Sequence, residues 1–223
     1  WTVKEAVVAH DLFLPLTIGA QGSCQIGGVI STNAGGNNVL RYGMMRDQVL
    51  GLEVVLADGS LWDGLSTLRK NNTGPDLKQL FIGTEGAIGI VTAAALRLVP
   101  QPTARAAALI GLPDLEATRR VFHLARRACS DLLSAFEFMM PAAMEIARGA
   151  MEAPPTLHTP AGVYVLIELG APGPVDLDAL LEGFLETAMA EGLVTDGLVA
   201  ASAAQVGRIW ALRPDGTNPV GAD

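Results

Sequence analysis

The run Gln21-Gly22-Ser23-Cys24-Gln25-Ile26-Gly27-Gly28, followed by Ser31-Thr32-Asn33-Ala34-Gly35-Gly36, decides how this chain is read. Small residues and short hydroxyls are dense here and charge is nearly absent. Such a stretch lets the main chain approach an anion closely and donate N–H groups to it. The same spacing also suits two tight turns flanking a strand, and spacing alone does not separate the two. A second cluster, Gly83-Thr84-Glu85-Gly86-Ala87-Ile88-Gly89, fits neither the G-x-G-x-x-G nor the G-x-x-x-x-G-K-[ST] pattern. Rossmann and P-loop readings therefore fail.

Around these clusters, residues 1–100 read as short strands separated by glycine-rich turns. Val49 to Leu56 is β-rich and ends in Ala57-Asp58-Gly59, a hairpin signal, with Ser60 to Asp63 returning. Leu77 to Phe81 is a short helical or extended segment, and Ile88 to Leu98 a further strand. Pro100 and Pro102 stop regular structure and set a domain boundary, giving domains 1–101 and 102–223.

Beyond the boundary the texture alternates. Strands are predicted at Ala104 to Leu112, Leu133 to Phe138, Val163 to Leu169 and Leu198 to Ser202. Helices are predicted from Pro113-Asp114 to about Ala128, and over Pro141 to Ala150, Asp176 to Glu191 and Ala203 to Leu212. In the third helix Leu177, Leu180, Leu181, Phe184, Leu185 and Ala188 form one apolar stripe. The proline-bearing stretch Met151 to Ala161 is a loop. The expected class is α+β, with the helices on one face of the sheet.

Composition narrows the function. Lys+Arg is 15 and Asp+Glu 23, a formal net charge of −8, and no basic cluster suited to nucleic acid is present. Half of the 223 residues are hydrophobic, which excludes disorder. The longest apolar runs fall well short of the ~20 residues of a membrane helix. No signal peptide is visible. Cys24 and Cys129 lie far apart without metal-type spacing and read as free thiols of a reducing compartment. His10, His123 and His158 match no catalytic pattern, and Met139-Met140 with Phe136 and Phe138 read as core.

Four stretches together carry a resemblance: GSCQIGGVISTNAGG (22–36), RYGMMRDQVLGLEVVLADG (41–59), NNTGPDLKQLFIG (71–83) and TEGAIGIVTAAALRL (84–98). From about residue 12 to 100 the chain resembles the second half of the FAD-binding domain of the p-cresol-methylhydroxylase/vanillyl-alcohol-oxidase (PCMH-type) superfamily. RKNNTGPDLKQLFIGTEG points within it to the D-lactate/D-2-hydroxyglutarate dehydrogenase group, which is glycolate-oxidase-subunit-like. Residues 104–213, with AFEFM (135–139), YVLIEL (164–169) and IWALR (209–213), resemble the N-terminal part of that family's FAD-linked oxidase C-terminal, ferredoxin-like substrate domain.

Carried over by position, the resemblance implies that Gly22, Ser23, Cys24 and Gly28 lie along the flavin and its pyrophosphate. It implies that Thr32, Asn33, Ala34 and Gly35 contact the phosphate and ribityl region. Glu85, Gly89, Ile90 and Val91 would meet FAD near its ring and adenine ends. Cys24 on its own reads more readily as a small packed residue. Arg213 matches a substrate-carboxylate arginine, although a lone arginine at a helix end is ordinarily a surface residue.

The implied activity is FAD-dependent oxidation of a D-2-hydroxy acid, D-2-hydroxyglutarate or D-lactate, with an electron-transfer flavoprotein or quinone as acceptor. The family's upstream glycine-rich pyrophosphate loop and its H-x-x-G-D-G-N-x-H segment, with the ligands of a divalent metal (Zn or Mn) and the base, have no match here. Pro214 disfavours helix at Arg213, which puts in doubt a further substrate match at Thr217. The chain is accordingly expected to be incomplete, with little or no activity by itself. The other reading is a non-catalytic subunit, a homo-oligomer or a complementing partner of a flavoenzyme complex. The expected compartment is the cytoplasm, or the mitochondrion in a eukaryote.

Overall fold

Leu12–Phe13 (β1) pairs antiparallel with Val99–Pro100 (the later β5), so the two ends of the first unit are tied together. The computed structural model describes residues 2–20 and 22–213, and the chain divides into two compact units between Gln101 and Pro102.

In the first unit Thr2–Val8 forms helix α1 and Ile26–Ser31 forms α2. Two single turns follow, Val39–Tyr42 (α3) and Met45–Gln48 (α4). Val49–Val55 (β2) then runs between Leu61–Gly64 (β3) and Ile90–Leu96 (β4) in an antiparallel sheet. The β2–β3 turn closes as its residues dictate. Asp58 accepts the Ser60 amide at 2.9 Å and the Ser60 hydroxyl at 2.6 Å, while Gly59 takes φ +80°. The core gathers Leu14, Leu16, Val29, Ile30, Met45, Leu52, Val54 and Ile82. One expectation is overturned here. The segment between the glycines of residues 22–36 is the helix α2, and no strand lies there.

The second unit is a four-stranded antiparallel sheet of Ala104–Leu112 (β6), Leu133–Met139 (β7), Val163–Ala171 (β8) and Asp196–Val199 (β9). Its strand order is β7-β8-β6-β9, the ferredoxin-like arrangement. The helices are Leu115–Cys129 (α5), Pro141–Gly149 (α6), Leu177–Ala190 (α7) and Ala203–Trp210 (α8). Caps fix their starts: Asp114 accepts the Ala117 amide at 2.8 Å and Asp176 the Ala179 amide at 3.0 Å. Pro141 opens α6 at a position that needs no amide donor.

The helices do not share one face. Ala106, Ala108, Ile110 and Leu112 of β6 pack with α5 and α7. Ala107 and Leu109 point the other way, into a second core with Met144 of α6 and Val206, Ile209 and Trp210 of α8. Covering both faces removes the need for polar alternation, so β6 and β8 are near-continuous apolar runs.

Candidate functional site

The two glycine clusters, far apart in sequence, meet at the end of α2. The Gly83 amide donates to the Ile30 carbonyl at 3.2 Å, and the Glu85 amide to the Ser31 carbonyl at 2.9 Å. The last carbonyls of a helix lack intrahelical donors, and here the second cluster supplies them. Two non-glycine residues take left-handed backbone at this junction, Asn33 (φ 47°) and Glu85 (φ 54°). Such conformations cost of order 1–2 kcal/mol and persist only where surroundings enforce them.

The space around each glycine separates open positions from packing positions. A Cβ on Gly28 or Gly22 would meet nothing within 4 Å. Glycine inside a helix costs about 1 kcal/mol relative to alanine, and the packing of the described residues gives no reason for it at 28. The open space fits an exposed backbone surface that a flat or anionic group could lie against, as FAD requires. Gly89 differs. A Cβ there would lie 2.5 Å from Val54 Cγ1 and 3.0 Å from the Val55 carbonyl, so the β2–β4 contact itself demands glycine. At Gly35 a Cβ would press on Val39 at 3.0 Å.

The neighbouring side chains divide similarly. Thr32 and Gly28 share the exposed face of α2, with the Thr32 hydroxyl donating to the Gly28 carbonyl at 2.9 Å. Asn33 is committed to the fold: its Oδ1 accepts the Arg46 amide at 2.9 Å, and its Nδ2 lies 3.9 Å from Met44 Sδ. Ala34 is half-buried against the core, and its carbonyl accepts the Met45 amide at 2.8 Å. Ile90 is 61% exposed, whereas Val91 turns into the core. In the turn before α2, the Ser23 and Cys24 amides both donate to the Ala20 carbonyl. Cys24 is half-buried and lines a cavity of about 270 Å³ with Lys4, Leu14, Leu16 and Val29. Burial pulls the Lys4 ammonium down to about 8, with Cys24 acting in the opposite direction.

In the second unit, Arg213 lies just past the end of α8, its amide donating to the Trp210 carbonyl at 3.0 Å. Its side chain is 19% exposed, with Nη1 3.5 Å from Glu137 Oε1 and the guanidinium carbon 5.8 Å from the Trp210 ring centre. Trp210 Nε1 donates to the buried Glu168 at 2.8 Å, and Arg105 stands 3.7 Å from the same carboxylate. Arg105, Glu137 and Glu168 thus share the sheet face that α8 covers. The sequence reading missed these partners, although Glu168 was visible as the one charged residue inside the apolar run VYVLIELGA. Thr217 lies outside the described residues. Among the described residues, no group of three or more His, Cys, Asp or Glu could hold a metal, and no helix is long and apolar enough to cross a membrane.

One unit thus presents a glycine-lined backbone surface, and the other a ferredoxin-like sheet with charged side chains on the face that α8 covers. Residues 2–64 match the FAD binding domain, and residues 101–218, more than half of the chain, match the FAD linked oxidases, C-terminal domain. The chain belongs to the FAD linked oxidases. It is 42% identical over 222 residues to the mitochondrial D-2-hydroxyglutarate dehydrogenase of Bos taurus, covering 99% of this chain and 40% of that protein. The Danio rerio counterpart is 43% identical over 204 residues, covering 92% and 38%. A D-2-hydroxyglutarate–pyruvate transhydrogenase of Saccharomyces cerevisiae is 40% identical over 205 residues, covering 92% and 41%. The chain therefore spans about two fifths of the length of these relatives. Among solved structures it shares its fold with an alkyldihydroxyacetonephosphate synthase, at TM-score 0.68 and 14% identity, over 96% of this chain and 42% of that one.

Proposed function

We propose that this chain carries part of the FAD-binding and substrate-binding apparatus of a D-2-hydroxy-acid dehydrogenase, with D-2-hydroxyglutarate or D-lactate as substrate. The observation that carries the reading is the joining of the two glycine clusters through Gly83–Ile30 and Glu85–Ser31, beside open space at Gly22 and Gly28.

In this reading the exposed backbone at Gly22, Ser23, Gly28 and Thr32 lies against the cofactor, with Cys24, Asn33, Ala34 and Gly35 holding that backbone in place. Glu85 and Ile90 form the facing wall, where the exposed Ile90 side chain excludes water, with Gly89 and Val91 packed behind it. FAD bound there supplies a hydride acceptor. Arg213 receives the substrate carboxylate. Its planar fork of N–H donors matches the geometry of a carboxylate, and Glu137 at 3.5 Å helps to hold it in place. Electrons then pass to an electron-transfer flavoprotein or a quinone. The described residues do not fit a metal site, and no step here runs through one. In a eukaryotic cell this reading places the chain in the mitochondrion, and otherwise in the cytoplasm.

A second reading, a non-catalytic or complementing subunit, draws on the exposed Leu61 and Ile90, which flank Val55 on neighbouring strands. The test is the absorbance spectrum of the chain after incubation with FAD and desalting. A retained flavin band that Gly28→Val abolishes, with unchanged folding, supports the cradle. A colourless wild-type chain overturns it for this chain and favours the subunit reading.

A further inference from the structure

We propose that the first unit holds a second binding site, for a small oxyanion bearing at least two negative charges, in a cavity of about 520 Å³ beside β2 and β3. The cavity is lined by Arg46, Arg69, Lys78 and Arg97, against the carboxylates of Asp47 and Asp76 alone. In a chain of net charge −8 this is an inversion of the prevailing sign.

Both carboxylates are already engaged. The two oxygens of Asp76 each lie 2.6 Å from Lys78 Nζ, and Asp47 accepts the Met44 amide at 2.8 Å. Three guanidinium groups are left without a carboxylate. Arg46 donates only to neutral oxygens, Gln79 Oε1 at 2.5 Å, the Gln79 carbonyl at 3.2 Å and the Ile82 carbonyl at 2.8 Å. Arg97 Nε is shut off from solvent and has no acceptor among the described residues. Arg69 makes no hydrogen bond or ion pair among them either.

A cationic donor withdrawn from water without an acceptor is unfavourable, and an anion in the cavity removes that cost. The volume lies within the roughly 300–1,000 Å³ of small-molecule sites, but the lining is charged where most such sites are apolar. Guanidinium forks pair with carboxylates and phosphates alike. The occupant is therefore a phosphate-type or a dicarboxylate anion, and the site is independent of the flavin reading.

Calorimetric titration of the 223-residue chain with pyrophosphate and with malonate, at ionic strength fixed by NaCl, tests this. Saturable binding of either anion is expected, weakened about tenfold or more by Arg97→Gln and several-fold by Arg69→Gln, as lost charge-assisted bonds require. Arg119→Gln, on α5, leaves it unchanged. Pyrophosphate alone binding assigns the phosphate class, and malonate alone the dicarboxylate class. Absence of saturable heat with both anions overturns the proposal, as does wild-type affinity in the arginine variants. Arg69 is exposed and without partners, so its variant keeps the test valid if Arg97→Gln misfolds.

Discussion

The Glu85 amide caps the helix that ends at Ser31, donating to its carbonyl at 2.9 Å from a backbone held at φ 54°. The second glycine cluster therefore completes the first: its strained conformation is sustained by hydrogen bonds that α2 cannot make internally. The strain at Asn33 and Glu85 lies where the cofactor surface is proposed, the usual location of such conformations.

Asn33 offers a way to separate backbone strain from side-chain bonding. Asn33→Ala loses the acceptor for the Arg46 amide and keeps a residue that resists positive φ, so a loss of about 1–3 kcal/mol is expected. Asn33→Gly loses the same bond but relieves the backbone, and should be milder by about 1 kcal/mol. Urea unfolding of both variants reads the difference. Equal losses would mean that the backbone at 33 is not strained.

Gly89→Ala should damage the first unit's sheet directly. The added methyl would sit 2.5 Å from Val54 Cγ1, in a core that cannot open without moving β2. The expected loss is roughly 1–3 kcal/mol, the usual range for overpacking. Gly28→Ala should instead be neutral or slightly stabilising. Thermal unfolding of the pair checks the contrast.

Trp210→Phe keeps an aromatic side chain but removes the indole N–H that donates to Glu168. The buried carboxylate would lose its 2.8 Å indole donor while Arg105 stays 3.7 Å away, and a cost of about 1–3 kcal/mol is expected. Glu168→Gln in the same background should recover part of the loss, because a neutral amide needs less compensation. Chemical denaturation of the single and double variants reads this coupling.

Burial pushes the Cys129 thiol up to about 11. Native Cys129 should therefore react slowly with thiol reagents at pH 8, and the half-buried Cys24 faster. The stability effect has a definite sign. The unfolded thiol ionises near its ordinary ~8.5 while the native one stays protonated, so stability falls as pH rises from there towards 11. Cys129→Ala should flatten that decline, measured as urea midpoints between pH 8 and 10.5.

Much of the second unit was legible because its signals were local. Asp114 and Asp176 announced helix starts, and β6 and β8 stood out as apolar runs. Those same runs concealed the second layer of helices. A strand that is apolar at nearly every position gives no alternation from which to count covered faces, so the sequence predicts one helical layer where the structure has two. β9 was expected at Leu198 to Ser202 and lies at Asp196–Val199, where a weak four-residue strand takes its register from β6. In the first unit α1 was passed over, and α2 was open to a strand reading because its glycines and β-branched residues are poor helix formers. What holds α2 is tertiary: Val29 and Ile30 enter the core, and its terminal carbonyls are met from residues 83–85. The polar cluster around Arg213 was legible at Arg213 alone, since its partners come from three different strands.

The strand order β7-β8-β6-β9 has a consequence for how the protein is made. β6 is the first strand of its sheet to leave the ribosome, yet it occupies an inner position, with Gly111 paired to both Tyr164 and Asp196. Until those later segments are translated, Ala104–Leu112 has neither of its neighbours, and both of its hydrogen-bonding edges stay open beside apolar faces. Nascent chains paused before β9 are expected to be the species most prone to clump and most in need of chaperone cover.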